Sequence, residues 1–157
     1  MIDAKRRTLL KGSLGVSAIG VAVGAGLLTP SAVLANWPKA AFSATDTNAA
    51  LTDLLGSDAT ESSDQVKIKA PDIAENGAVV PVTVETDVDG AKSISIMAAG
   101  NGTPLIASFE LGADAVPFVS TRIKMAKTAD VIAVVQTGDG LLSAAKPVKV
   151  TIGGCGG

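Results

Sequence analysis

The chain has 157 residues, a net charge of −2, no histidine, no tyrosine, one cysteine and 3% aromatic side chains. That length suffices for one domain with its own core. The composition excludes a Ser-His-Asp or Cys-His catalytic site, a Cys/His zinc site and any intramolecular disulfide, because each needs residues the chain lacks. So few aromatic rings also leave little with which to stack nucleic-acid bases.

The first 35 residues read as a targeting segment rather than as fold. Lys5-Arg6-Arg7-Thr8-Leu9-Leu10-Lys11 is a twin-arginine motif, centred on Arg6 and Arg7. Residues 12 to 35 are uncharged and moderately apolar, with five glycines, and Val33-Leu34-Ala35 satisfies the small-residue cleavage rule. An apolar stretch of about 20 residues could span a bilayer. The glycines, the arginine pair and the cleavage site instead predict export to the periplasm, no permanent membrane anchor, and a mature chain starting at Asn36. Losing Lys5, Arg6, Arg7 and Lys11 together with Asp3 moves the net charge from −2 to −5. A mildly acidic chain offers no electrostatic case for nucleic acid. The destination is an oxidising compartment, where an unpaired cysteine is either bonded between molecules or used chemically.

The segment from Asn36 to Ser57 is the one helical stretch. Ala50, Leu51, Leu54 and Leu55 fall at helical spacing, Ser43 or Thr45 can cap the start, and Gly56 suits the end. The spacing predicts a helix packed over one end of a sheet.

From Val66 onward the period is two. Val66 and Ile68 alternate with lysines, and Asp72 to Gly77 is polar and ends in an Asn-Gly turn. Val80, Val82 and Val84 form the next run, Asp89-Gly90 a second turn, and Ile94 and Ile96 a third run that Gly100-Asn101-Gly102 ends. Leu105, Ala107, Phe109 and Leu111 share a predicted face, and Val119, Thr121, Ile123 and Met125 share another. Val131 to Thr137 is nearly continuous and apolar, as in a central strand. Gly138-Asp139-Gly140 then turns into a last strand carrying Val148, Val150 and Ile152. About seven short strands with compact turns predict an all-β, immunoglobulin-like antiparallel β-sandwich over residues 36–152, with a short N-terminal helix. The scattered Asp and Glu show no spacing for a metal loop or a paired-carboxylate site, so no metal and no cofactor are expected.

The chain ends in Gly153-Gly154-Cys155-Gly156-Gly157, directly after that strand. Glycine lacks a Cβ, so residues 153–157 are expected to form a thin, flexible arm. At about 3.3–3.6 Å per residue, a thiol three residues past Ile152 reaches roughly 10 Å beyond the sheet. A thiol forms S–S bonds that resist water yet exchange, which a serine could not. No cation flanks Cys155 in the tail, so its expected pKa is the ordinary value of about 8.5, and activation falls to other proteins. Lys146 and Lys149 precede the arm and can attract an anion or an acidic surface, or simply solvate a strand face. Arg122 and Lys124 face the same choice, with Glu110 or Glu85 as pairing partners.

The tail from Val148 to Gly157 resembles that of the SoxY family, the sulfur carriers of the periplasmic thiosulfate-oxidising (Sox) system. Ala70-Pro71-Asp72-Ile73-Ala74-Glu75-Asn76-Gly77-Ala78-Val79-Val80-Pro81-Val82 and Ser120-Thr121-Arg122-Ile123-Lys124-Met125-Ala126 also resemble it, as does the twin-arginine signal. The resemblance covers essentially the whole mature chain. It departs at Ala98-Ala99-Gly100-Asn101-Gly102-Thr103-Pro104, where an Asn-Pro-rich segment is expected. The resemblance implies a non-catalytic carrier that holds sulfur intermediates on Cys155. It implies a heterodimer with SoxZ, a haem-containing enzyme that conjugates thiosulfate to the thiol, a hydrolase that releases sulfate and, in some systems, a molybdenum-containing sulfur dehydrogenase. Two other readings remain at this point. One is sulfur donation through a thiocarboxylate on Gly157, which needs ATP that the exported chain would not meet. The other is an immunoglobulin-like interaction module whose tail is incidental.

Overall fold

The computed structural model describes residues 37–152. The twin-arginine segment with Arg6 and Arg7, and the arm residues Gly153, Gly154, Cys155, Gly156 and Gly157, lie outside the described residues. From Pro38 onward the chain forms one unit. Its elements are α1 (Lys39–Ser43), α2 (Thr47–Leu55), β1 (Thr60–Ser62), β2 (Val66–Lys69), β3 (Ile73–Asn76), β4 (Val80–Thr86), β5 (Ser93–Ala98), β6 (Leu105–Glu110), β7 (Phe118–Ile123), β8 (Ala129–Gln136) and β9 (Leu141–Ile152).

Two sheets face each other. The larger runs β1-β9-β8-β5-β6, with β3 also paired to β9, and the smaller runs β2-β4-β7. Alternation decides what lies between them. Val80, Val82 and Val84 of β4 meet Ile94, Ile96 and Ala98 of β5, Val131, Ala133 and Val135 of β8, and Val148 of β9 in one buried cluster. Successive side chains of a strand point to opposite faces, so the period-two apolar runs become the inner faces of a sandwich. The expected β-sandwich is what forms.

The helical region differs from expectation in its detail. It contains two helices, and the cap of α2 is Asp46, not Ser43 or Thr45. The Asp46 carboxylate accepts from the Asn48 and Ala49 amides at 2.9 and 3.1 Å. Gly56 ends α2 in the left-handed region at φ 78°, as its position predicted. The helices cover a face rather than an end of the sheet. Ala41, Ala50 and Leu51 pack with Met97, Leu105, Val134 and Leu141, which come from four different strands. The apolar residues of the outer face, opposite in parity to the sandwich core, explain why β5 and β8 read as nearly continuous apolar runs: both their faces are covered.

Three further corrections concern strands. Asp72 to Gly77 is not only a turn, because Ile73–Asn76 forms β3, parallel to the end of β9. Thr60–Ser62 forms β1, parallel to the start of β9, with all three residues exposed and no apolar side chain to announce it. Leu105 does not share a face with Ala107 and Phe109. A bulge places Met97 opposite Leu105 and Ile96 opposite Ala107, leaving Ile106 unpaired. One extra residue inverts parity, so Leu105 turns to the helices while Phe109 packs on the sandwich core.

Candidate functional site at the root of the C-terminal arm

The tail residues with Cys155 follow β9 in the sequence, and the surrounding segments hold the last residues of β9 on both edges. On one edge β8 runs antiparallel to β9 from Gln136 opposite Leu141 to Ala129 opposite Val148. Where β8 stops, Thr128 continues the pairing with its side chain. Its Oγ1 accepts from the Val150 amide at 2.9 Å and donates to the Val150 carbonyl at 3.3 Å.

On the other edge lies β3, with Ile73 opposite Lys149, Ala74 opposite Val150 and Asn76 opposite Ile152. The Lys149 amide donates to the Asp72 carbonyl at 2.9 Å, and the Thr151 hydroxyl donates to the Glu75 carbonyl at 2.9 Å. Gly77 closes the end: its amide donates to the Ile152 carbonyl at 2.8 Å, while its own carbonyl accepts from the Met125 amide at 2.7 Å. The Asn76 side chain accepts from the Ala78 amide at 2.8 Å, an Asx turn that reverses the chain into β4. Met125 is fully buried and plugs the core beneath this corner.

The segments picked out by resemblance therefore converge. Residues 70–82 supply β3, the Gly77 turn and the start of β4. Residues 120–126 supply the end of β7 and Met125. β4 and β7 pair, with Val80 opposite Ile123 and Thr83 opposite Ser120. The departing loop also touches this corner, because Asn101 donates through Nδ2 to the Lys124 carbonyl and accepts from the Ala126 amide, both at 2.8 Å. Sequence reasoning did not single out Gly77, Asn101 or Thr128 as supports of the arm. The Asn76-Gly77 pair was the one available signal, and it read only as a turn.

The charges near the root sort unequally. Lys146 pairs with Asp72 at 2.9 Å, and its ammonium holds the Asp72 carboxyl below the usual 3.8, chiefly through their hydrogen bond. Lys149 lies on the opposite face of β9 by strand parity, and no ion pair joins it to another described residue. Glu85 pairs with Lys69 at 2.8 Å, and among the described residues no ion pair joins Arg122 or Lys124 to either Glu85 or Glu110. A groove of about 450 Å³ runs beside the root, lined by residues that include Asp72, Thr128, Asp130, Pro147 and Lys149. Beside the exit, Ile152 at 69% and Val79 at 55% exposure stand in solvent, while Ile73, at 57%, stands on the other face of the sheet opposite Lys149. Among the described residues no group of three or more His, Cys, Asp or Glu is placed to hold a metal ion, and no helix is long and apolar enough to cross a membrane.

A braced strand end that feeds a Gly-Gly-Cys-Gly-Gly tail is the geometry to set against known proteins. The family model for the sulfur oxidation protein SoxY matches residues 51–155, from α2 through the tail cysteine. The chain belongs to the SoxY family. The solved structure of the sulfur carrier protein SoxY from Chlorobium limicola f thiosulfatophilum is 48% identical, with a TM-score of 0.60 over 66% of this chain and 94% of that one. An engineered protein solved at 1.98 Å is 18% identical over 56% of this chain and 20% of that one, with a TM-score of 0.39. No curated protein matches. SoxY membership places the chain with the sulfur-oxidation proteins, and the match runs through Cys155, the residue on which a SoxY reading depends.

Proposed function

We propose that this protein is a covalent sulfur carrier that holds inorganic sulfur on Cys155 while separate enzymes act on it. The observation that carries the reading is that the SoxY family match extends to residue 155, the sole cysteine, three residues beyond the braced end of β9. The 48% identical structure is that of a sulfur carrier protein.

The chemistry uses a single sulfur atom of this chain. Thiosulfate joins the thiol oxidatively: the Cys155 S–H is lost, an S–S bond forms to the sulfane sulfur, and one proton and two electrons leave. The haem-containing conjugating enzyme takes the electrons. Water then cleaves the S–SO3 bond in the hydrolase, releasing sulfate and a proton and leaving a persulfide on Cys155. Where a sulfur dehydrogenase is present, it takes six electrons from the outer persulfide sulfur while three waters supply the oxygens and seven protons leave, giving an S-sulfonate, and a second hydrolysis releases sulfate and a proton and restores the thiol. Throughout, this chain supplies attachment and reach rather than catalysis. The four glycines keep the arm thin enough for a narrow channel, and the clamp of β3, Gly77 and Thr128 gives it a fixed origin.

In the same reading, residues 1–35 are a twin-arginine signal removed before Asn36. Residues 36–152 are the carrier domain, and residues 153–157 are the arm. The protein works in the periplasm as a heterodimer with SoxZ. The test is intact and peptide mass spectrometry of the protein from cells metabolising thiosulfate, with and without reductant. A reducible sulfur or thiosulfonate mass on the C-terminal peptide is expected, absent in Cys155→Ser. An unmodified Cys155 during active turnover, or sulfur on the Gly157 carboxyl, overturns the proposal.

A further inference from the structure

Large apolar side chains are left in water at two ends of this domain. At one end are Val116, at 80% exposure, and Phe118, at 51%. At the other are Ile152 and Val79, beside the exit of β9. Asn76 joins the second group: it lies opposite Ile152 in the β3–β9 register, and its carbonyl accepts from the Val79 amide at 3.3 Å. Ile73, opposite Lys149, stands on the other face of the sheet and is not part of this group. The two ends are set apart along β4, because Val80 pairs with Ile123 and Glu85 with Phe118. Five residues of strand separate those pairs by roughly 17 Å.

The length of the arm decides what each end can meet. Cys155 lies three residues past Ile152, so its sulfur stays within roughly 10 Å of the braced strand end. An enzyme that encloses this sulfur must bring the mouth of its channel inside that radius, and a deeper active site brings the mouth closer still. We propose that Ile152 and Val79 form a docking collar for the channel mouth of the enzyme that modifies the Cys155 sulfur. The inference rests on the carrier reading and adds a recognition surface to it. Two properties of the site fit a surface reused by successive enzymes. The collar is held in place by the Gly77–Ile152 and Thr151–Glu75 hydrogen bonds, so docking orders little backbone. Its contacts are apolar and non-directional, so they do not demand one matching set of polar partners.

The test compares Val79→Ser/Ile152→Ser with Val116→Ser/Phe118→Ser, each in the heterodimer with SoxZ. All four side chains are at least half exposed, so the substitutions spare the core. The readout is the rate at which the haem-containing conjugating enzyme loads thiosulfate onto Cys155 with an electron acceptor present, followed by intact mass. N-ethylmaleimide alkylation of the same thiol serves as the enzyme-free control. The collar variant is expected to lower kcat/KM for loading roughly tenfold, with alkylation rate and retention of SoxZ unchanged. The far-end variant is expected to load at the wild-type rate. Unchanged loading in the collar variant, or equal slowing in both variants, overturns the collar. Loss of SoxZ from the collar variant also overturns it, by assigning the patch to the subunit interface. If the wild-type heterodimer acquires no adduct, the carrier reading itself falls.

Discussion

The two halves of β9 belong to one strand but are stabilised in different ways. At Leu141–Ser143 the strand has β1 on one edge and β8 on the other, and Leu141 packs with Leu51, Val134 and Met97 beneath the helices. At Lys149–Ile152 the inner face keeps only Val150 against the core, and the edges are held by Thr128, Glu75 and Gly77. The first half is secured by burial and the second by directed hydrogen bonds. Burial confers stability without fixing any single atom. Hydrogen bonds to defined backbone groups fix a position, which is what the proposed carrier function requires of the strand end.

Substitutions in the two halves should therefore separate stability from carrier function. Leu51→Ala removes a buried side chain from the helix cluster and is expected to cost about 2–5 kcal/mol in denaturant unfolding, while the loading rate of Cys155 stays near wild type. A large loading defect in the folded variant would erase the distinction. Asp46→Ala removes the cap that accepts from Asn48 and Ala49 and should cost about 1 kcal/mol. That loss should be seen first as faster hydrogen exchange in α2, with exchange at Lys149–Ile152 unchanged.

Thr128→Val tests the other half. It strips the Val150 amide and carbonyl of their partner but leaves both open to water, so the global cost is about 0.5–1 kcal/mol. The local effect should be larger: faster exchange at Val150 and slower enzymatic loading of Cys155, with exchange in α2 as in wild type. Exchange at Val150 that matches wild type would mean that β3 alone holds the root.

The smallest effect concerns acid. The Lys146 ammonium lowers the pKa of Asp72, so this contribution is complete above about pH 3.8 and is lost as pH falls through the lower folded-state value. Asp87, lowered by Lys67, behaves alike. Both carboxylates are exposed, so the effect on stability is slight. Asp72→Asn should narrow its stability difference from wild type between about pH 6 and about pH 3. A difference that stays constant across that range would remove Lys146–Asp72 from the account of the root.

The legible parts of the fold were those with a strong local pattern. Val80, Val82 and Val84, or Val131 to Val135, state their strand and their buried face directly, because period two and β-branching are local properties. Gly56 and Gly90 mark their turns through left-handed backbone, at φ 78° and 70°. The cap at Asp46 went unread because Ser43, Thr45 and Asp46 are all competent caps and only one begins the final helix. Leu105 was assigned to the wrong face because a bulge leaves no trace in the alternation of a single strand. At the candidate site Cys155 and its glycines were plain in the sequence, whereas Gly77, Asn101 and Thr128 were not, since their roles consist of bonds to residues 22 to 75 positions away.

The sequence by itself determined the chemistry of the tail and the sandwich, through one thiol set among glycines and seven alternating apolar runs. Only the tertiary structure decided that β1 and β3 pair with β9, that the helices cover a sheet face, and that three distant segments brace one strand end. The physical reason is range. Side-chain period and turn chemistry are written within a few residues, but the partners of a short polar edge strand are chosen by whichever backbone donors and acceptors the packed core leaves within reach.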